Sequence, residues 1–298
     1  MNSSSRADTQ PVLRGVARLA RVCAIAGLVS MVAPSPRAIE TGSSIDTTSP
    51  GNAPWSYVGS VNGCSGVYLG NYNGTYWVLT AAHVGAGDFT LNGVTYHWVS
   101  GSALSIYNTN NTQTDGTTAT QADLTLFQIS GDPGLPNLTI PTSAPYGGAT
   151  VEMIGFGGGK SWGDNTIFAY AGYSLQVYSY GGAGIITLAS GEGGNGAQGT
   201  SGDSGGGMFY QASGETVELV GTLSGVGDVD GGGTDYGQGT VAVDLAVYSS
   251  QITADIQSVA AAGSSDTPAM PPWAMAGFGI GLLLVGFRFL PREPYRMG

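Results

Sequence analysis

Residues 54–260 alternate short apolar runs with clusters of Gly, Asn and Ser, and no other feature limits the fold of this chain as strongly. Runs such as 76–80, 124–129 and 217–222 are rich in β-branched and aromatic residues and are bounded by turn residues, so each one predicts a strand. Many short strands in succession are typical of a sandwich or a barrel. Residues 245–262 have apolar residues at helical spacing instead. The sequence therefore predicts an all-β domain followed by one helix.

The composition excludes several other classes of protein. Gly accounts for 51 of the 298 residues, but it has no three-residue period, so the chain is not a collagen. A hydrophobic content of 42% argues against global disorder. Because β sandwiches and barrels often run to about 200–250 residues, the chain is long enough for one large all-β domain or two small ones.

The charges are distributed very unevenly along the chain. Of the nine Lys and Arg residues, eight lie in the two ends, and between residues 39 and 270 Lys160 stands against 18 acidic residues. Nucleic-acid binding through phosphate contacts needs clustered Lys and Arg. The sequence therefore excludes a nucleic-acid partner for this segment.

The first 38 residues have the pattern of a secretory signal peptide. Four Arg residues precede an almost wholly apolar run at 22–33, and Pro and small residues follow up to Ala38. A positive region, an apolar region of about 7–15 residues and small residues near the cut define such a signal. An uncleaved membrane anchor is the alternative, although the apolar run is short for spanning a bilayer. We expect a cut after Ala38 and export of the remaining chain.

The C-terminal end is also directed to a membrane. A polar, Pro-containing linker at 263–272 precedes an uncharged apolar run at 273–287, and the basic residues Arg288, Arg292 and Arg296 follow. This order resembles the bacterial sorting signals of the PEP-CTERM and IPTL-CTERM type. The resemblance implies that residues 273–298 hold the chain at the membrane until a sorting enzyme cuts it, and a permanent anchor is the alternative. Either way, we expect the protein at the cell envelope or the cell surface.

Three short motifs in the middle of the chain carry residues suited to nucleophilic catalysis. TAAH ends at His83, ADLTL places Asp123 at the head of an apolar run, and GDSGG surrounds Ser204. A serine hydroxyl is a poor nucleophile until a base takes its proton. Histidine is the commonest such base, and a carboxylate can orient it. The three residues could therefore act together.

The order His, Asp, Ser within these motifs resembles the chymotrypsin-like (trypsin-fold) serine proteases, over residues 39–262. The resemblance implies two six-stranded antiparallel β-barrels with a C-terminal helix. It implies a serine endopeptidase that cuts protein or peptide substrates through an acyl-enzyme intermediate, with no cofactor and no metal. His83 would be the base, Asp123 its orienting carboxylate and Ser204 the nucleophile, while the backbone N–H groups of Gly202 and Ser204 would form the oxyanion hole. The oligomeric state is not predicted.

Other residues and other functions compete with this interpretation. His97 has no motif around it, and Asp88 and Asp115 stand in turn-like settings, where Asp usually serves the turn. A protease-like fold without activity, serving as a surface binding or adhesion protein, is the alternative function. A serine esterase of another fold also carries G-x-S-x-G, but its His follows the nucleophile, and no His follows Ser204.

The resemblance also indicates where substrate specificity arises. The residue six positions before the nucleophile, at the base of the primary pocket in this family, is Gln198. A preference for Lys or Arg would need a carboxylate there, so it is not expected. Ser224, Gly225 and Val226 would line the pocket, and we expect small or medium apolar substrate side chains.

Activation in this family often pairs a new N-terminal ammonium with the acid that precedes the nucleophile. Here that acid is Asp203, and a cut after Ala38 would make Ile39 the N-terminus. The sequence leaves an alternative open, in which local hydrogen bonds hold Asp203.

Overall fold

The computed structural model describes residues 39–41, 44–108, 119–145, 147–169, 174–189, 196–212, 215–231 and 234–263. The predicted signal peptide, most of the linker and the apolar tail lie outside these residues. Within the described part of the chain, no helix is long and apolar enough to cross a membrane. The chain divides into two compact units, and the first of them, which ends at Gln257, contains all the strands that the structure describes.

The first half of this unit consists mainly of short antiparallel strands, with one short helix near its start. The elements are β1 (Glu40–Thr41), β2 (Ser44–Ile45), α1 (Ala53–Tyr57), β3 (Val58–Val61), β4 (Cys64–Tyr72), β5 (Thr75–Thr80), β6 (Phe89–Leu91), β7 (Val94–Tyr96), β8 (Leu104–Tyr107) and β9 (Gln121–Ile129). Hydrogen bonds connect them in the order β7-β6-β3-β4-β5-β9, and β8 pairs with the other side of β9. The chain after β7 returns to β9 through an isolated bridge between Trp98 and Ile129.

Three hairpins of this half follow turn chemistry that is visible in the sequence. Asn62-Gly63, Asn73-Gly74 and Asn92-Gly93 join β3 to β4, β4 to β5 and β6 to β7. In each pair both residues have positive φ, from 51° to 56° for Asn and from 78° to 82° for Gly. Two-residue turns of this type need positive φ at both positions, and Asn and Gly adopt it with the least strain.

The second half of the unit closes into a barrel. Its elements are β10 (Thr150–Gly155), β11 (Ser161–Ala169), β12 (Ser174–Val177), β13 (Tyr180–Leu188), β14 (Ala197–Gln198), β15 (Gly207–Tyr210), β16 (Glu218–Gly231), β17 (Thr234–Asp244) and α2 (Leu245–Gly263). Antiparallel pairing runs β10-β11-β13-β17-β16-β15 and returns to β10, so six strands form a closed ring. A closed ring leaves none of its six strands as a free edge.

The core of this barrel is built from side chains distant in sequence. Its buried members are Ile39, Val151, Met153, Ile167, Ile185, Ala197, Met208, Val220, Leu223 and Ala242. The prediction of a mostly β fold with a C-terminal helix is confirmed, and α2 begins at Leu245 as expected. One six-stranded barrel is confirmed as well. A second six-stranded barrel in the first half stays a prediction.

Candidate active site

The pairing of β5 with β9 brings His83 to Asp123. The two strands are antiparallel and Thr80 lies opposite Thr125, so the residues after Thr80 run beside the residues before Thr125. His83 Nδ1 lies 2.8 Å from Asp123 Oδ2 and 3.0 Å from Oδ1. The backbone N–H of His83 also donates to Oδ1, at 3.0 Å. The strand register therefore places the imidazole directly against this carboxylate.

The environment of Asp123 determines how it acts on the ring. The residue is fully buried, and the Ser224 hydroxyl donates a third hydrogen bond, to Oδ2. Burying a carboxylate costs free energy unless hydrogen-bond donors surround it, and here a ring N–H, an amide and a hydroxyl do so. A proton on Nδ1 that is bound to a carboxylate leaves Nε2 as the acceptor. The arrangement can therefore hold His83 in the tautomer that a general base needs.

The loop that carries Ser204 packs against β4 and against β5, the strand that leads to His83. The Ser65 N–H donates to the Ser204 carbonyl at 2.9 Å, and the Gly205 N–H donates to the Leu223 carbonyl at 2.7 Å. Gly205 has φ +84°, and a Cβ there would lie 2.2 Å from Thr80 Oγ1. Only glycine permits this approach, because it has no Cβ and tolerates positive φ. Among the hydrogen bonds of the described residues, none joins His83 to Ser204.

Two backbone N–H groups of the Ser204 loop differ from their neighbours in their hydrogen bonding. Within 202–206, the amides of Asp203, Gly205 and Gly206 donate to carbonyl groups of the protein. No hydrogen bond among the described residues uses the amides of Gly202 and Ser204. Unused donors at a sharp turn are what an oxyanion hole requires. These are the two amides that the sequence predicted for that role.

Comparison with known proteins identifies the family. The family model described as Trypsin matches residues 43–252, which is more than half of the chain. The chain belongs to the trypsin family. It is therefore a trypsin-like serine protease by family and fold. A comparison with curated proteins finds no match.

Solved trypsin-fold structures are similar over most of their length but at low identity. Kallikrein-related peptidase 10 is 20% identical, with a TM-score of 0.44, over 70% of this chain and 99% of that one. Mouse neuropsin, a serine protease of the limbic system, is 18% identical, with a TM-score of 0.47, over 70% and 97%. An inactive mutant of the Rv3671c protease of M. tuberculosis is 15% identical, with a TM-score of 0.45, over 71% and 96%.

Local hydrogen bonds hold Asp203 in this trypsin-family protein. The Asp203 carboxylate accepts from Thr200 N at 2.8 Å, Gly157 N at 3.0 Å and Thr200 Oγ1 at 3.2 Å. Burial raises the pKa of Asp203 to about 6, although these hydrogen bonds oppose the rise. The Ile39 side chain is fully buried in the barrel core. The hydrogen bonds are those of the local alternative, and an ion pair between Ile39 and Asp203 stays a prediction.

The residues predicted to line the pocket of this trypsin-like domain differ in burial and in their contacts. Gln198 is half-buried on β14, and Gly225 and Val226 are half-buried on β16. Ser224 is buried, and its hydroxyl contacts Asp123, a role that the sequence analysis did not assign to it. It was missed because Ser224 and Asp123 are 101 residues apart in the sequence.

One contact beside Gln198 was missed by the sequence analysis. A Cβ on Gly199 would lie 3.2 Å from Thr240 Cγ2 and 3.5 Å from Val226 Cγ1. Thr240 Oγ1 also accepts a hydrogen bond from the Gly199 N–H at 2.8 Å. Thr240 stands opposite Val226 in the β16–β17 pairing, so both methyl groups converge on the chain beside Gln198. The contact of Thr240 with Gly199 is visible only in the strand pairing, because the sequence around Thr240 reads as an ordinary strand.

The other His and Asp residues considered for the triad do not have the buried environment of His83 and Asp123 in the described residues. His97 Nδ1 lies 3.0 Å from Asp88 Oδ2, but both side chains are exposed. Asp88 also accepts from the Trp98 N–H, and these hydrogen bonds, that of Trp98 first, lower the pKa of Asp88. Asp115 lies outside the described residues. Within the described residues, no group of three or more His, Cys, Asp and Glu is placed to hold a metal ion.

Proposed function

We propose that this protein is an active serine endopeptidase in which His83, Asp123 and Ser204 form the catalytic triad. The observation that carries the proposal is the contact between the His83 Nδ1 atom and the buried Asp123 carboxylate, at 2.8 Å. A buried carboxylate that holds an imidazole in one tautomer serves a general base, whereas the His97–Asp88 pair is exposed to water. The unused amides of Gly202 and Ser204 support the same proposal.

The geometry supports the following reaction. His83 Nε2 takes the proton of the Ser204 hydroxyl while Oγ bonds to the scissile carbonyl carbon. The amides of Gly202 and Ser204 donate to the oxyanion that forms, and Asp123 stabilises the imidazolium. When the C–N bond breaks, His83 gives its proton to the leaving amine, and Ser204 remains acylated. Water, deprotonated by His83, then attacks the acyl carbon, and His83 returns the proton to Ser204 Oγ as the bond between Oγ and the acyl carbon breaks.

The pocket beside Gln198 is proposed to accept small apolar substrate side chains. Gln198 offers no negative charge to Lys or Arg. The methyl groups of Val226 and Thr240 lie within 3.5 Å of the point that a Cβ on Gly199 would occupy. Side chains that project into a pocket from one of its walls shorten it and exclude long substrate residues. Ala and Val are therefore better fits than Phe or Arg.

Export and activation belong to the same proposal. The sequence pattern of residues 1–38 supports cleavage after Ala38, and that of 263–298 supports attachment at the cell envelope, transient if a sorting enzyme cuts the tail. A free Ile39 ammonium would provide charge compensation for Asp203, whose pKa burial raises to about 6. A buried carboxylate is retained in ionised form more readily when it is paired.

A fluorophosphonate probe tests the proposal directly. The full chain is expressed for export, purified in detergent in its processed form and labelled, and mass spectrometry locates the adduct. We expect one adduct on Ser204, none in Ser204→Ala, and unchanged labelling in Ser102→Ala, which removes a hydroxyl that accepts from the Gln128 N–H. A folded wild-type protein that does not react refutes the catalytic proposal and favours the inactive binding protein.

A further inference from the structure

The hydroxyl group of Ser65 connects two chain segments beside the Ser204 loop. Ser65 is the second residue of β4 and is fully buried. The Phe156 N–H donates to its Oγ atom at 2.8 Å, and Oγ lies 3.1 Å from the Gly202 carbonyl oxygen. An amide N–H can only donate and a carbonyl can only accept, so the hydroxyl proton points to Gly202. The Ser65 side chain therefore holds the carbonyl group of Gly202.

Ser65 also contacts the other residue of the proposed oxyanion hole. Its backbone N–H donates to the Ser204 carbonyl at 2.9 Å. Any residue except proline has the N–H for this backbone bond. The bond to the Gly202 carbonyl needs a donor on the side chain instead. A substitution of Ser65 can therefore remove the contact with Gly202 and leave the contact with Ser204 in place.

Gly202 has no side chain that could fix the direction of its N–H. Its φ is +97°, and a Cβ would lie 2.6 Å from Gly157 Cα, so only glycine fits. Rotation about the free φ and ψ of a glycine changes the angle between its N–H and its carbonyl. Ser65 holds this carbonyl, and the Asp203 N–H of the same peptide group donates to the Thr200 carbonyl at 3.1 Å. A peptide group held at both polar atoms limits the directions that the Gly202 N–H can take.

The segment on which Gly202 packs is bound by the same group of residues. The Phe156 N–H donates to Ser65 Oγ, and the next amide, that of Gly157, donates to the Asp203 carboxylate at 3.0 Å. Without the hydroxyl, the Phe156 N–H and the Gly202 carbonyl both lose a partner in a partly buried place. Unpaired polar groups away from water are costly, so Gly202 would turn towards other partners.

We propose that Ser65 is a positioning residue of the oxyanion hole, whose hydroxyl keeps the Gly202 N–H directed at the oxyanion. It acts through Gly202 rather than on the substrate itself. This inference rests on the proposed endopeptidase function. Loss of one oxyanion-hole donor lowers kcat by about 10²–10³-fold. A donor that is present but turned away loses part of that effect, so we expect Ser65→Ala to lower kcat by about 10–100-fold.

Two measurements separate binding of the oxyanion from binding of the substrate. The first is kcat and KM for a peptide amide with Ala in the pocket, and the second is Ki for the matching peptidyl trifluoromethyl ketone. Ser204 Oγ bonds to the ketone carbon, its proton passes to His83 Nε2, and the ketone oxygen becomes an oxyanion in the hole. In Ser65→Ala, kcat should fall and Ki should rise by similar factors, about 10–100-fold. KM should change less than about twofold, because the lost interaction belongs to the transition state.

Two further variants complete the test. Ser65→Cys keeps a side chain of similar shape, but its thiol is a weak donor, so under reducing conditions Ki should lie between those of wild type and Ser65→Ala. Tyr248→Phe is the matched control. The buried Tyr248 hydroxyl accepts from the Ala183 N–H at 3.1 Å and donates to Asn108 Oδ1 at 2.7 Å. Its loss should lower the urea midpoint, as Ser65→Ala does, but should leave kcat and Ki unchanged.

Several results would overturn the positioning role. A lower urea midpoint with a wild-type Ki in Ser65→Ala would make Ser65 structural only. A higher KM with unchanged kcat would place its effect on substrate binding, and an equal rise of Ki in Tyr248→Phe would make the effect nonspecific. If Ser65→Ala does not fold, a wild-type Ki in Ser65→Cys overturns the role. Absence of fluorophosphonate labelling of wild-type Ser204 refutes the proposed function itself, whereas labelling with an unchanged Ki in the Ser65 variants refutes the positioning role alone.

Discussion

Gly205 offers the sharpest test of how the Ser204 loop is held, because glycine is required there for two reasons. Its φ is +84°, and a Cβ would lie 2.1 Å from the Ser65 carbonyl oxygen and 2.2 Å from Thr80 Oγ1. Positive φ costs an L-residue about 1–2 kcal/mol. The overlap adds about 1–3 kcal/mol of overpacking, because a backbone carbonyl cannot rotate away. We therefore expect Gly205→Ala to lower the free energy of unfolding by about 2–5 kcal/mol.

A matched glycine separates the two contributions. Gly101 has φ +81°, but no atom lies within 4 Å of a Cβ placed on it. Gly101→Ala should therefore cost only the conformational part, about 1–2 kcal/mol. Urea unfolding of the two variants measures the difference between them. Gly205→Ala should also lower kcat/KM by about 100-fold, because a displacement of the nucleophile of about 1 Å is enough to do so. Equal stability and equal activity of the two variants would refute the argument.

Three other predictions follow from named contacts. Asp123→Asn should lower kcat at neutral pH by roughly 10⁴-fold and leave substrate KM nearly unchanged, because the amide favours the wrong tautomer of His83. Steady-state kinetics on a peptide substrate measures both constants, and a kcat within tenfold of wild type contradicts the assigned role. Val226→Gly should raise the ratio of kcat/KM for substrates with Phe in the pocket to that for substrates with Ala by about 10–200-fold. An unchanged ratio in a peptide-library assay would mean that Val226 does not line the pocket. Burial raises the pKa of Asp244 from 3.8 to about 6 and the pKa of Glu152 from 4.5 to about 7. Between the unfolded and the folded pKa of each group, the folded state binds more protons than the unfolded state. The contribution of both groups to stability is therefore complete below about pH 4 and declines as the pH rises to about 7. The dependence of the urea midpoint on pH should accordingly become weaker in Asp244→Asn, and a dependence identical to that of wild type would argue against this assignment.

The helix α2 was predicted from the sequence, and the Asn-Gly turns follow the same kind of local pattern, because the determinants of both are local. Asn-Gly pairs at 62, 73 and 92 each formed a two-residue turn, and the helical spacing from Leu245 onward became α2. A turn or a helix depends on residues within a few positions of each other, so its pattern can be recognised in the amino-acid sequence alone. Tyr178, with φ +54° in the turn between β12 and β13, is the exception, because nothing in its local sequence predicts a left-handed turn residue.

The amino-acid sequence by itself determined which reactive groups the protein has, because His83, Asp123 and Ser204 stand in recognisable motifs. It also determined the acidic middle segment and the two apolar ends. Tertiary structure decided which of these groups meet. The contact of Ser224 with Asp123 and the convergence of Thr240 and Val226 on Gly199 follow from barrel closure and strand register. Register depends on the summed packing of residues far apart in sequence, and a shift of one residue would reverse the face of every side chain. No local pattern carries that information.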